Sequence, residues 1–212
     1  QMMRLDHEHT NDITAEQEAA LLAGFYKYVE TEKPSLIILE DYNKGVLTPN
    51  IITSVIDYCN EKGIPTAVDP KQKNFLAYKN CTLFKPNLKE VKEGLKITIG
   101  DITVQNMNKV HTALNESLQN TISFITLSEH GVYFSDGEAQ KLIPTHIRNI
   151  SDVSGAGDTV IAVASLVYAS SKNMLFAAEI SNIAGGMVCE LVGTAPINKN
   201  DLAAEVVKLL TK

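Results

Sequence analysis

Four short apolar runs, each closed by polar residues on its C-terminal side, constrain this chain most: Ser35-Leu36-Ile37-Ile38-Leu39, Pro65-Thr66-Ala67-Val68-Asp69, Thr82-Leu83-Phe84-Lys85-Pro86-Asn87 and Ile122-Ser123-Phe124-Ile125-Thr126-Leu127. The first, continuous and bounded by Pro34 and the polar 40–45, reads as a parallel strand covered on both faces; the others are strand-like too. Helical patterns lie between them. Thr14-Ala15-Glu16-Gln17 has the form of a capping box and opens an amphipathic run to about Tyr28. Thr48-Pro49 sets an N-cap before proline at N1, and Ile52, Val55, Ile56 and Cys59 recur at helical spacing until Gly63. A further helix spans Ile102 to Leu118, and a hairpin spans Gly131 to Ile143 with Asp136-Gly137 at its turn. Three more helices are expected, over Gly155 to Ser170, Met174 to Val192 and Asn200 to Leu210. No composition break marks a linker. The reading is one α/β domain over 1–212, an open, mostly parallel sheet with an antiparallel edge.

With 19 Lys+Arg against 25 Asp+Glu and no basic run, the net charge of −6 gives no footprint for a phosphate backbone, so nucleic acid is not an expected partner. The longest apolar stretch, Val160 to Ala169, is about half of the roughly 20 residues a spanning helix needs, so no membrane crossing is expected. Cys59, Cys81 and Cys189 lie far apart, with no C-x-x-C pair and no histidine at ligand spacing. They read as reduced thiols of a cytoplasmic protein. His7, His9, His111, His130 and His146 show no paired spacing and are read as solvated or structural.

In an open α/β sheet, ligands bind beyond the carboxyl ends of the strands. Those ends carry Asp41 and Lys44, Asp69 and Lys71, Lys85 and Asn87, then Thr126 and Ser128. Each has an ordinary explanation as a turn or cap residue; their convergence on one face is what informs. The sharpest local feature is Ser151-Asp152-Val153-Ser154-Gly155-Ala156-Gly157-Asp158-Thr159, which runs into an apolar helix. Gly155, Ala156 and Gly157 remove side-chain bulk at a helix N-terminus, where unpaired N–H groups favour an anion. Asp158 would repel that anion unless it accepts a proton from a nucleophile approaching it. A base beside an anion hole implies phosphoryl transfer to a hydroxyl. The alternative is that Gly-Ala-Gly serves close helix packing and Asp158 caps the helix. The segment is neither a Walker A loop nor a full G-x-G-x-x-G pattern, which disfavours hydride transfer.

The stretch Asp152-Val153-Ser154-Gly155-Ala156-Gly157-Asp158 resembles the D-T-x-G-A-G-D signature of the PfkB, or ribokinase-like, carbohydrate kinases, with Val153 in place of threonine. Asn87-Leu88-Lys89-Glu90 matches the family's N-x-x-E, and Thr126-Leu127-Ser128-Glu129-His130-Gly131 its T-L-G-x-x-G nucleotide loop, with serine for the first glycine. Asn182 matches an asparagine of the penultimate helix that faces the nucleotide. Within the family, Glu40-Asp41-Tyr42-Asn43-Lys44-Gly45 and Val68-Asp69-Pro70-Lys71 look most like the heptose 7-phosphate kinase module of lipopolysaccharide-core ADP-heptose synthesis. That module is often the first half of a bifunctional kinase/nucleotidyltransferase.

The resemblance implies a ribokinase-like three-layer sandwich. Family members carry about one hundred further residues upstream, roughly half a typical domain. These supply the first strands, the lid and the Gly-Gly-x-x-Asn sugar segment. The expectation is therefore the catalytic and nucleotide portion of such a kinase, lacking those strands and the lid and without a nucleotidyltransferase half.

By the same resemblance, Asp158 accepts the sugar hydroxyl proton and the amides of Gly155, Ala156 and Gly157 hold phosphoryl oxygens. Asn87 and Glu90 organise Mg²⁺, while Thr126, Ser128, Gly131 and Asn182 line the ATP. Lys44 is a candidate cation for phosphate groups, and Asp41 a polar wall of the cleft. Asp152, with Ser154, either ligates K⁺ or only fixes the loop. A heptose 7-phosphate acceptor is implied first. Another sugar or nucleoside acceptor, or nucleotide binding without turnover, remains open, as does a homo-oligomer.

Overall fold

The computed structural model describes residue 8 and residues 10–146 and 148–210; His7 and His9 lie outside them. The elements in chain order are α1 (Ala15–Glu32), β1 (Ile37–Glu40), α2 (Pro49–Lys62), β2 (Thr66–Asp69), β3 (Leu83–Phe84), α3 (Leu88–Leu95), α4 (Val104–Leu118), β4 (Ile122–Thr126), β5 (Val132–Ser135), β6 (Gln140–Ile143), α5 (Ala156–Ser171), α6 (Met174–Val188) and α7 (Lys199–Leu210). The strands form one sheet in sequence order, parallel from β1 to β4 and antiparallel from β4 to β6. The expected α/β architecture with its antiparallel edge is what forms.

Two apolar clusters lie on the two faces of the sheet. Leu39, Val68, Phe84, Ile125 and Tyr133 point toward α2, α3 and α4, where Ile52, Ile56, Val91, Met107 and Leu114 meet them. Ala67, Leu83, Ile122, Phe124, Val132 and Phe134 point the other way, toward Val160, Ile161 and Ala164 of α5 and Ala177 and Ala178 of α6. Burying each such large side chain stabilises the fold by about 1.5–3 kcal/mol. Helices α5 and α6 pack directly on each other, and a Cβ on Gly185 would stand 2.6 Å from Cγ2 of Val160.

Two expectations need correction. β1 is not covered on both faces: Ile38 is 39% exposed although Leu39 is buried. Ile38 pairs with Ala67 and so shares the face packed by α5 and α6, but β1 is the outer strand of the described sheet and those helices centre on β2 to β6. The second is α3, a helix that was not expected where Asn87-Leu88-Lys89-Glu90 follows the strand. The α6 helix also stops at Val188 rather than Val192, ahead of Gly193 at φ +76°. Among the described residues no helix is long and apolar enough to cross a membrane. All three cysteines are free; Cys59 and Cys81 are buried and Cys189 is half-buried.

Candidate active site

The carboxyl ends of β1, β2, β3 and β4 meet the N-terminus of α5. Gly155 is the N-cap of α5 at φ +77°, a left-handed conformation open to glycine, and being glycine it offers no side-chain acceptor to the first-turn amides. The Ala156 N–H donates to the Val153 carbonyl at 3.3 Å, so this amide is partly spent within the loop. Asp158 is exposed in the first helical turn.

Opposite that turn stands Lys85, 3% exposed, its Nζ 3.2 Å from Oδ1 of Asp69. A Cβ on Gly157 would lie 3.8 Å from Nζ of Lys85 and 4.0 Å from Oδ2 of Asp69, so the bare Gly157 backbone faces an ammonium group directly. A helix N-terminus and a buried lysine thus bear on the same small volume, the charge pattern a phosphoryl group requires. The positions of Asp69 and Lys85 at strand ends were visible in sequence; the burial of Lys85 against Gly157 was not.

Two further residues join Asp158. Carboxylate oxygens of Glu40, Asp69 and Asp158 all lie within 4.8 Å of one another. Lost hydration, then the Asp158 charge and a hydrogen bond with Asp158, push the Glu40 carboxyl above its ordinary range. Burial, then a hydrogen bond to Asp158 and the charge of Glu40, push the Tyr42 phenol up as well, so it stays a donor. The loop carrying Tyr42 is anchored by buried Asp41, which accepts from Tyr78 Oη at 2.7 Å and from the Asn43 N–H at 2.7 Å. Asn74 Nδ2 donates to the Leu47 carbonyl in the same loop at 2.7 Å. Asp41 is thus a structural anchor behind the cleft. Lys44 is exposed, pairs with Glu8, and shares an open groove of about 790 Å³ with Ile38, Glu40, Tyr42 and Val46.

Asn87 and Glu90 form a reciprocal capping box on α3: each side chain accepts the other residue's backbone N–H at 2.8 Å. Glu90 also pairs with Lys71 Nζ at 3.1 Å, and the same ammonium lies 3.7 Å from Asp69. Burial alone would lower Lys71, but Asp69 and Glu90 outweigh it and hold its pKa up. An ammonium therefore already bridges two carboxylates at this end. Asp69 Oδ1, buried, accepts no hydrogen bond from a described residue. Its charge is met instead by the ammonium groups of Lys85 at 3.2 Å and Lys71 at 3.7 Å, and the oxygen donors gathered here are of the kind a hard divalent cation takes.

Thr126 forms a parallel bridge with Asn87, which carries the row of site residues onto β4. Ser128 adopts φ +53°, the left-handed backbone that the family's glycine would take without strain. Gly131 at φ +88° is required twice over, because a Cβ there would meet the Ile143 carbonyl oxygen at 2.0 Å. Asn182 and Asp152 stand apart from the row. Asn182, buried on α6, donates to the Pro144 carbonyl at 2.9 Å. Asp152 accepts from Ser154 N–H and Oγ at 2.9 and 2.7 Å and from Gly193 N–H at 3.1 Å, which hold its carboxyl below the usual value.

A mostly parallel sheet thus brings a buried lysine and an exposed carboxylate to one helix N-terminus. Comparison with known proteins shows the family: the pfkB family carbohydrate kinase pattern matches residues 6–201, and the chain belongs to that family. The bifunctional protein HldE of Methylobacillus flagellatus is 36% identical over 210 residues, which cover 97% of this chain and 42% of that protein. HldE of Syntrophotalea carbinolica is 37% identical over 204 residues, 95% of this chain and 41% of that protein. The chain thus spans less than half the length of these relatives. Among solved structures, phosphofructokinase-2 from Escherichia coli in complex with potassium aligns with a TM-score of 0.81 at 17% identity, over 95% of this chain and 64% of that one. Arabidopsis thaliana ribokinase complexed with ribose and ATP aligns at 0.69 and 13% identity, over 94% and 61%.

Proposed function

We propose that this chain carries the phosphoryl-transfer centre of a sugar kinase that phosphorylates heptose 7-phosphate at C1, with ATP as donor. Its likeness to HldE proteins supports the acceptor. The observation that carries the chemistry is Asp158, exposed in the first turn of α5 in a cluster with Glu40 and Asp69 and next to Gly157, which faces Lys85. Asp158 accepts the C1 hydroxyl proton as that oxygen bonds to the γ-phosphorus; the bond from γ-phosphorus to the bridging oxygen breaks and ADP leaves. The free amides of the Gly155–Asp158 turn and Lys85 stabilise charge on the transferring oxygens, which is where most of the rate gain in such reactions arises.

Glu90 and Asp69 would hold Mg²⁺, which neutralises charge on the β- and γ-phosphates when bound. Asn87 shapes that corner through its cap. Thr126, Ser128, Gly131 and Asn182 would line the nucleotide, with Lys44 at the rim for the distal phosphate of the acceptor. Asp152 spends both carboxylate oxygens on Ser154 and Gly193, so beside a potassium ion it would supply charge and loop geometry.

In the full-length protein, Asp158→Asn removes the base with almost no change of volume. The expected result is a fall in kcat of about 10²–10⁴, the usual contribution of a positioned base, with ATP affinity unchanged by calorimetry. Normal turnover by this variant would remove Asp158 from the role.

A further inference from the structure

We propose that Arg148 is a positioning residue for the phosphoryl transfer: through Glu190 it clamps the segment leading into α5 onto the end of α6, and so fixes the aim of the first-turn amides of α5. This deepens the kinase reading and rests on the N-terminus of α5 receiving the phosphoryl group.

The loop ahead of α5 has little burial to hold it. Ile150 is 66% and Val153 68% exposed, and Gly155, the N-cap, brings no side chain to the helix end. Its conformation therefore rests on directed polar ties, and these run to one place. The N–H groups of Ser151 and Asp152 donate to the Cys189 carbonyl at 2.8 and 3.1 Å, and the Gly193 N–H donates to Oδ2 of Asp152 at 3.1 Å. At the N-cap itself, a Cβ on Gly155 would lie 3.5 Å from Cγ2 of Thr194. The segment 148–155 is thus laid along residues 189–194, and whatever sets the end of α6 sets the entry to α5.

Arg148 begins this seam. Its Nη1 donates at 3.0 Å to Glu190, the residue after the α6 C-cap, and its Nη2 donates at 2.9 Å to Glu205 of α7. Gly186, in the last turn of α6, leaves the space the side chain occupies: a Cβ there would stand 2.9 Å from both Cδ and Nε of Arg148. A guanidinium at a helix C-terminus also meets the negative end of the dipole. Stability alone is a poor reason for this group. The side chain is 10% exposed and its buried Nε has no hydrogen-bond partner among the described residues, so its lost hydration is only partly made good. An apolar side chain of similar length would fill the same space without that loss. It would not fix the direction of the seam, which a planar two-armed fork does.

The two arms separate positioning from stability. In the full-length protein, assayed with ATP and heptose 7-phosphate well below the Tm of every variant, Glu190→Ala releases the arm beside the loop and Glu205→Ala the arm to α7. Glu190→Ala should lower kcat about tenfold with KM for ATP and for the acceptor unchanged, the pattern of a group that acts only on the transition state. Glu205→Ala should lower Tm and leave kcat as it was. Combining Glu190→Ala with Arg148→Ala should lower kcat no further than Arg148→Ala alone, since both act through one contact. Arg148→Lys keeps the charge and reaches one carboxylate at a time, so it should recover part of the Arg148→Ala loss. Amide hydrogen exchange over residues 151–157 needs no turnover: it should quicken in Glu190→Ala and stay as it is in Glu205→Ala. Unchanged kcat or unchanged exchange in Glu190→Ala, or equal losses of kcat from Glu190→Ala and Glu205→Ala, would overturn the proposal and leave Arg148 a tie between elements. Failure of the kinase reading shows up separately, as no turnover by the unaltered protein or full turnover by Asp158→Asn.

Discussion

Glu40 combines two properties at one residue: it ends an outer strand and its charge faces that of Asp158. Its carboxyl is raised in the folded chain by lost hydration and by Asp158, and is ordinary when unfolded. Ionised Glu40 therefore costs the folded state, and stability is lost as pH rises through the raised value. A neutral side chain escapes that loss. Glu40→Gln should accordingly be the more stable form at pH 7–8, by a few tenths to about 1 kcal/mol once solvent screening is allowed for. The difference should vanish below about pH 4, where Glu40 is protonated in both states. Urea unfolding at a series of pH values measures it; a difference independent of pH would mean that the two charges do not act on each other. Glu40 stood in plain view in the sequence as the polar residue closing the first apolar run. Its nearness to Asp158, 118 positions later in the numbering, depends on how β1 and α5 are placed, which local pattern does not encode.

At the scale of single elements, the reading succeeded where termini carry their own chemistry. The capping boxes and N-caps at Thr14 and Thr48, the Gly63 stop and the Asp136-Gly137 turn all formed where their residues placed them. It missed α3 because Asn87-Leu88-Lys89-Glu90 was assigned to metal chemistry when the same spacing also writes a capping box. The capping use is the one the structure shows: Glu90 caps through one oxygen and reaches Lys71 through the other. Asn87→Ala removes the acceptor for the Glu90 N–H, so it should destabilise the protein by about 1 kcal/mol. It should also loosen the first turn of α3 that carries Glu90, although the backbone N–H of position 87 and Lys71 still hold its carboxylate, and raise the Mg²⁺ concentration for half-maximal turnover. Thermal unfolding and a Mg²⁺ titration separate the two effects, and a variant with unchanged stability would show that the cap is not holding α3. The over-long expectation for α6 has a different cause: Cys189 to Val192 keep helical polarity, but the Cys189 carbonyl accepts the N–H groups of Ser151 and Asp152, remote in sequence, at 2.8 and 3.1 Å, and left-handed Gly193 follows.

Across the whole molecule, Arg148 ties together parts remote in sequence. It donates from Nη1 to Glu190 at 3.0 Å and from Nη2 to Glu205 at 2.9 Å, joining the segment ahead of the Asp152–Asp158 loop to the end of α6 and to α7. Its side chain is 10% exposed and lies over Gly186, where a Cβ would come within 2.9 Å of it. With no buried residue of its own, α7 depends on such ties. Arg148→Ala should cost about 2 kcal/mol and lower Tm by about 4–8 °C in a chain of this size. An unshifted Tm would mean that α7 is held by its α6 contacts alone. The layered architecture was legible because a parallel sheet needs strands without polar alternation and helices between them. Which strand lies outermost among the described residues was not, since the pattern of β1 matches that of a covered strand.

The Lys85–Asp69 pair sits beside Gly157 at the N-terminus of α5 with both side chains nearly sealed from water. Their dehydration is incurred once, when the chain folds, and the ammonium cannot swing away or be resolvated between turnovers. On the proposed kinase reading, the field that would greet an incoming phosphoryl group is thus a standing property of the architecture, with little dipolar rearrangement left to be done as charge moves across the site.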